Sequence, residues 1–475
     1  MTLKQSENFP RESWRNAFWP VLIAIAGLII SIRMFYPGIM SNDSLDQYSQ
    51  AVHFSFKDWH PPIVAFIWAL INDWIPGPFG MLLLFCCMYW GGLLLLSLSL
   101  LRSSKPGAIV VLILGFAPFA IGTLGNIWKD VFHAVFTLCT VGLFAFAYRH
   151  DGRWDTAARW AACILLLMGA MARFNAIAAL PPLLWLALGR PRLNNWKTPA
   201  VLLVLPFSVM LVSSVFNYGF LRAERTGVVA SLLVFDIGAI TDATGANAFE
   251  QPFSPEQERK LTSQCYEPAA WDSYAWGRCA FVAPALKASG AWANGGLFRA
   301  WAHAVQSHPG AYLRHRFTHW WRLLWKPQNF LVSEMQSNTL GFTFQKSALH
   351  QSLERITEIM QRGIFFKPGF WLLLSVALVT ISVRRGSGPL RELAIALNVS
   401  SILYLFSYLP VGVATDFRYA YWSILAAWMS LPFVYCSLPQ ARLAAVPDLR
   451  FSEPTTVAIK RAPGRRASSR ETVGE

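Results

Sequence analysis

Apolar stretches of about 14–23 residues recur along this chain, with short basic loops between many of them. Few folds accept such a pattern. In lipid every backbone amide must find its partner inside the protein, so a long uncharged run reads as a helix crossing a hydrocarbon core about 30 Å thick. Charged residues make up only 14% of the chain, against roughly a quarter in soluble domains. Many of the 21 Trp lie near the ends of the apolar runs, where an amphipathic ring suits the lipid–water interface.

The reading is an all-α polytopic membrane protein with about ten transmembrane helices. The expected spans are Phe18–Tyr36, Phe79–Leu101, Gly107–Leu124, Val131–Tyr148, Thr156–Met171, Asn175–Leu188, Pro199–Phe216, Phe365–Val383, Leu393–Leu409 and Tyr419–Leu438. Lys4, Arg11 and Arg15 precede the first span. Alternate loops then carry Arg102 with Lys105, Arg149 with Arg153, Arg190 with Arg192 and Lys197, and Arg384 with Arg385 and Arg391. All fall on one side with the Arg-rich tail, which the positive-inside rule makes the cytoplasm. The net charge of +15 is thereby explained without a nucleic-acid partner. Met1–Pro10 is polar and the first apolar run is long enough to stay as an anchor, so no signal peptide is expected.

Five regions follow: a cytoplasmic N-terminus (1–17), a membrane module (18–217) with a first outer loop (37–79), an extracytoplasmic domain (218–364), C-terminal membrane helices (365–438) and a basic cytoplasmic tail (439–475) that reads as disordered from Pro447 onward. The 218–364 region should be small and mainly helical. Counting His60–Ile75 as a span would place Arg102 and Lys105 outside, so this segment is read as a helix lying in the outer interface, with a short tilted span as the alternative. Pro61 and Pro62 suit its first turn. Cys265 and Cys279 lie in the outer domain, where an oxidising exterior permits a disulfide; two free buried thiols are the alternative.

The span interiors hold almost no ionisable groups, His133 and Arg33 coming nearest. Ion-coupled transporters need such groups along a path, which weighs against a transporter or a lipid-linked sugar flippase. The charges cluster instead on the outer rim. If Ser41 or Asn42 caps a helix, Asp43, Asp46, Gln47 and Gln50 share one face. Two carboxylates at a membrane boundary suit a general base or a metal ligand; Asp43 equally suits a helix dipole. Lys129, Arg173 and Arg418 belong to outer turns that can ring one site, where a phosphate leaving group needs a cationic clamp; each is also placed to snorkel from a helix end. His60 is placed to donate to a phosphate oxygen, a structural histidine being the alternative. Gln47, Arg314 and Arg316 are candidate acceptor or lipid contacts, the last two in the basic, aromatic stretch His308–His319. His308, His315 and His319 lack the spacing of a zinc set.

Taken together, Tyr36-Pro37-Gly38, Asp43-Ser44, Trp59-His60-Pro61, Trp128-Lys129-Asp130, Arg173-Phe174-Asn175, Phe235-Asp236-Ile237 and Asp416-Phe417-Arg418-Tyr419 resemble the GT-C superfamily. Its members include protein mannosyltransferases, aminoarabinose transferases and lipopolysaccharide-sugar transferases of bacterial membranes. The resemblance implies a sugar transferred from a polyprenyl-phosphate donor to a glycan or lipid acceptor at the outer face of a bacterial inner membrane. It makes Asp43 the catalytic base with Asp46 in reserve, and Lys129, Arg173 and Arg418 the phosphate ligands. No strict Asp-x-Asp pair is present, so the cofactor stays open, a divalent cation such as Mg or Mn being the candidate. An O-antigen-type ligase, using a pyrophosphate donor, is the nearest enzymatic rival.

Overall fold

A computed structural model describes residues 11–147, 153–292, 295–328 and 340–439 of the chain. The expected disordered tail beyond 439, the first ten residues and Arg149 lie outside them. Among the described residues the chain is helical, with isolated β-bridges and no sheet.

The helices run in order α1 (Arg11–Phe35), α2 (Asn42–His53), α3 (Pro62–Asn72), α4 (Phe79–Leu100), α5 (Lys105–Leu114), α6 (Pro118–Ile121), α7 (Lys129–Ala147), α8 (Arg153–Met171), α9 (Leu180–Ala187) and α10 (Lys197–Ser214). Then come α11 (Val229–Thr244), α12 (Pro255–Leu261), α13 (Val282–Ala288), α14 (Gly296–Ser307), α15 (Pro309–Trp325) and α16 (Ala348–Met360). The last three are α17 (Pro368–Arg385), α18 (Gly388–Val411) and α19 (Tyr421–Ser437). Asn16–Phe35, Phe79–Leu100, Lys129–Ala147, Lys197–Phe220, Pro368–Arg385 and Gly388–Val411 are long and apolar enough to cross a bilayer, which makes this a multi-pass membrane protein.

The other four expected spans are helical too, but two are broken, and proline is the reason. In Gly107–Leu124 the helix stops at Leu114 and restarts at Pro118. Ala117, driven out of the helical region by the proline after it, has ψ 133°. Asn175–Leu188 becomes a 3-10 turn, Phe174–Ala179, followed by the eight residues of α9, whose first turn holds Pro181 and Pro182. The helix α3 has 11 residues, about 16 Å at 1.5 Å per residue. That is about half a bilayer core, shorter than the candidate spans, as the interfacial reading expects. Pro61 caps it, Pro62 opens it, and Trp68 is buried against its neighbours.

At the centre α7 is buried almost throughout and packs against α4, α8 and α19. Water is absent from a bilayer, so close packing and polar contacts between helices must replace the hydrophobic drive. Two glycines permit the closest approach: a Cβ on Gly92 would lie 2.9 Å from the Cys139 amide nitrogen, and one on Gly142 would lie 2.7 Å from the Gly92 carbonyl oxygen. Small polar groups bridge the helices. The Trp90 indole donates to Ser31 Oγ at 2.8 Å, Trp422 to Ser400 Oγ at 2.9 Å, and Asn398 to Ser430 Oγ at 2.8 Å. Several tryptophans are thus core residues and not interfacial anchors; Trp90, Trp371 and Trp422 are buried.

A second hydrophobic core lies between Ala230 and Trp301, and Trp59 of the first loop packs on it. The helix α16 packs on the main bundle, and α15 lies between the two cores, against α11 and α14 on one side and α17 and α18 on the other.

Candidate functional site

Two loops are fastened to each other, and a third is braced by its own contacts, before any charge is considered. After α1 the chain pairs with the segment before α7: the Ile39 amide donates to the Gly125 carbonyl at 2.9 Å, and the Ile127 amide returns a bond to Ile39 at 3.0 Å. Ser44 Oγ then donates to the Ile127 carbonyl at 2.8 Å, and the Trp128 indole donates to Ser41 Oγ at 2.8 Å. The first turn of α2, which carries Asp43, is therefore fastened to the start of α7, which carries Lys129 and Asp130. His60 is set by its neighbour Asp58. That buried carboxylate accepts from the Tyr218 hydroxyl at 2.8 Å and from the Thr226 amide and hydroxyl at 2.7 Å each. The third loop follows α18. Asp416 caps the 3-10 turn Phe417–Ala420 by accepting from the Arg418 amide at 3.1 Å, and Gln328 holds the loop from the far side, donating to the Thr415 carbonyl at 2.6 Å.

These loops, with the turn after α8 that carries Arg173, bring six of the candidate residues to one place. Arg418 reaches Asp43 at 2.9 Å and Asp416 at 3.0 Å, with its guanidinium 4.5 Å from the Trp128 ring centroid. Lys129 Nζ lies 2.8 Å from His60 Nδ1. His60 Nε2 faces Asp43 and Asp46 at 4.0 Å each. Arg173 is paired with Asp130 and donates to the Tyr408 hydroxyl at 2.6 Å, while Arg418 stands 3.9 Å from the same Asp130. The cluster sits where α1 and α18 end and α4, α7 and α19 begin, opposite the helix ends that carry Arg102, Lys105, Arg384 and Arg385. Asp130 is 1% exposed, Asp43 30% and Asp46 45%. The two carboxylates of α2 thus face the open side, and Asp130 forms the floor.

The charges set one another. Burial works against ionisation of Asp43, yet Arg418, then His60 and Lys129, outweigh it and hold the carboxyl at about 2. Burial and the adjacent Lys129 push His60 down to about 3 against the pull of Asp43, so the imidazole is neutral. A lysine donates, so Nδ1 accepts and Nε2 carries the hydrogen towards the two carboxylates. Asp416 is pushed up to about 7 by burial, with Arg418 opposing.

A divalent cation does not fit this arrangement. Asp43 is engaged by Arg418, the His60 nitrogen facing the carboxylates is the protonated one, and no set of three ligand-type side chains is placed for a metal among the described residues.

The remaining candidates lie elsewhere. Gln47 is buried and braces α2 by donating to the Asp43 carbonyl at 3.1 Å. Arg314 is exposed on α15. Arg316, read from sequence as an acceptor or lipid contact, is buried, paired with Asp236 at 2.5 Å and donating to the Gly412 carbonyl at 2.7 Å. Cys265 and Cys279 are bonded. Sequence reasoning passed over Asp58 as an anchor and Tyr408 as a partner of Arg173. The first had a signal, a carboxylate two residues before His60. The second had none, being one aromatic in an apolar run.

The neutral His60 gives a testable pH effect. Its pKa in the fold lies below the ordinary value of about 6.5, so the unfolded chain binds the extra proton as pH falls below that value. The stability His60 contributes is present above pH 6.5 and is lost progressively towards pH 3. Between pH 7 and 4.5 the unfolding free energy of the wild-type chain should fall on the order of 2 kcal/mol more than that of His60→Gln, read as a steeper loss of melting temperature. Parallel melting curves would remove His60 from the buried set.

No family model matches the chain, and no curated protein sequence matches it. Among solved structures it is similar to the oligosaccharyltransferase of Archaeoglobus fulgidus. The form in complex with an inhibitory peptide and a dolichol-phosphate is 12% identical, with a TM-score of 0.34, over 88% of this chain and 50% of that one. The form tethered to an acceptor peptide is 15% identical with a TM-score of 0.37, and the apo form 13% with 0.37. This chain spans about half the length of each transferase chain it matches.

Proposed function

We propose that this protein is a membrane glycosyltransferase of the GT-C kind, moving a sugar from a polyprenyl-phosphate carrier to an envelope glycan or lipid acceptor. The reaction takes place at the outer face of a bacterial inner membrane. One observation carries the reading: a carboxylate open to the exterior, Asp43, stands among Lys129, Arg418 and Arg173 at the end of the helix bundle remote from the basic loops. A lipid-borne phosphate meets cations at that height, and an acceptor hydroxyl meets a base.

In this reading the acceptor oxygen attacks the anomeric carbon and its proton passes to Asp43. The bond from that carbon to the phosphate oxygen breaks, and the departing phosphate keeps the electron pair, neutralised by Lys129 and Arg418. The resting ion pair has a consequence. While Arg418 holds Asp43, the carboxylate is a weak base; a phosphate that draws the guanidinium towards itself frees Asp43 to accept a proton. Lys129 is the readier of the phosphate ligands, since among the described residues it has no carboxylate within ion-pair distance and its amine meets only His60.

The test is reconstitution of the full chain in nanodiscs with polyprenyl-phosphate sugars and envelope lipids, following free polyprenyl phosphate by mass spectrometry. Lys129→Gln should raise the donor KM by about tenfold to a hundredfold, the worth of a charge-assisted hydrogen bond. Use of pyrophosphate-linked donors alone would make the protein a ligase, and no release from either donor class would end the transferase reading. Orientation is tested separately: reporters fused after Arg102 and near Ala270 should report opposite sides of the membrane, and the same side for both overturns the outer placement.

A further inference from the structure

The loop closed by the Cys265–Cys279 disulfide presents a large aromatic side chain that its own packing does not require. The base of this loop is rigid. Tyr274 is wholly buried, Ser273 Oγ donates to the Cys265 carbonyl at 2.5 Å, and the Cys279 amide donates to the Ser273 carbonyl at 2.9 Å. The Trp271 amide donates to the Val413 carbonyl at 3.0 Å, which lays the loop against the segment that carries Asp416 and Arg418. Trp276, on the same loop, is 67% exposed. Its ring lies 5.6 Å from that of Trp271 and 6.4 Å from that of Trp59, and Trp59 lies 5.8 Å from Trp271. Trp59 immediately precedes His60, so the three rings adjoin the Asp43 cluster.

A tryptophan at a lipid interface is the ordinary explanation for such exposure, but the surroundings argue otherwise. Asp272 is on the same loop, close enough for the charges of Asp43 and Arg418 to act on it. Arg278, also on the loop, stands 4.0 Å from Glu267. An exposed indole backed by two further rings and carried on a loop with charged residues suits an amphipathic ligand better than hydrocarbon. A pyranose ring is such a ligand. Its C–H faces carry partial positive charge that complements the negative face of an indole, and its hydroxyls donate to carboxylates.

We propose that Trp276, backed edge-on by Trp59 and by the buried Trp271, is a stacking face for a pyranose ring beside the Asp43 site, with Asp272 accepting its hydroxyls. The proposal rests on the glycosyl-transfer reading and names how that site holds its sugar.

The experiment uses the full chain in nanodiscs and the methyl pyranosides of glucose, galactose and mannose as probes, read by saturation-transfer difference NMR. Wild type and Asp43→Asn should both saturate the ring C–H protons of at least one pyranoside. Trp276→Ala should cut that signal at least about fivefold, and Trp276→Phe should keep most of it. In the transfer assay Trp276→Ala should raise the KM of one substrate with kcat little changed; donor or acceptor titration then says which sugar the stacking face holds. Absence of saturation with every pyranoside on wild type overturns the stacking face, as does an unchanged signal in Trp276→Ala. Quenching of the Trp276 contribution to fluorescence by brominated lipid chains overturns it in favour of an interfacial anchor. A normal transfer rate in Asp43→Asn would sink the catalytic reading and leave the pyranoside result standing, so the two failures are separable.

Discussion

Asp43→Asn is expected to reach the membrane and fold like the wild-type chain, yet transfer sugar at least about a hundredfold more slowly. The size of the loss follows from what a carboxylate does for a neutral hydroxyl. An acceptor alcohol is a poor nucleophile near neutral pH, and a positioned base that takes its proton as the new bond forms is commonly worth about 10²–10⁴ in rate. Folding should survive for a local reason. Asparagine keeps the size of the side chain, and Arg418 retains Asp416 at 3.0 Å when the charge on Asp43 is removed. The helix is fastened by Ser41 and Ser44 rather than by Asp43. Asp46→Asn should lose less, because Asp46 is more exposed and, among the described residues, is bound by Gln50 at 2.8 Å and approached by His60. Wild-type turnover by purified Asp43→Asn together with a dead Asp46→Asn would move the base to Asp46; normal turnover by both would mean that α2 carries no catalytic carboxylate.

The second large effect is on stability. Arg173→Ala is expected to destabilise the fold by about 3–5 kcal/mol, because it strands a buried carboxylate. Asp130 is 1% exposed and Arg173 10%, and the guanidinium is further engaged by Tyr408 and Asn175. Asp130 retains Arg418 only at 3.9 Å. Arg173→Lys should recover part of the loss, since an ammonium supplies the charge without the planar fork. Removing both charges tests the cause: Asp130→Asn combined with Arg173→Gln should be more stable than either single variant, with a coupling of about 1–3 kcal/mol in a double-mutant cycle. Denaturation of the four proteins in one detergent decides the matter. Additive losses would mean that the two charges do not depend on each other.

Much of the architecture was legible because the constraint that produces it is local. Whether about twenty consecutive residues can lie in hydrocarbon depends on those residues alone, so the helices α1, α4, α7, α10, α17 and α18 can be read directly from the chain. Proline signals worked where they were followed, as at Pro61 and Pro62. They were under-read at Pro118, which splits one expected span. The fate of tryptophan was not legible. An indole suits an interface and a buried hydrogen bond equally well, and only the position of Ser31 or Ser400 on a neighbouring helix decides between them.

The same division holds at the candidate site. Sequence alone determined that charges are excluded from the spans and gathered in the loops and turns at their ends, and that α2 opens with a carboxylate. Which charges meet was decided by tertiary structure. Arg418 selects Asp43, Arg173 takes Asp130, and Arg316, in a stretch that reads as a lipid contact, turns inward to Asp236. These partners belong to turns separated by whole helices, so their pairing depends on how each helix is rotated and packed. Close contacts such as that of Gly92 with Gly142 set that rotation, and burial then makes each pairing obligatory, because a charge removed from water must be met by another.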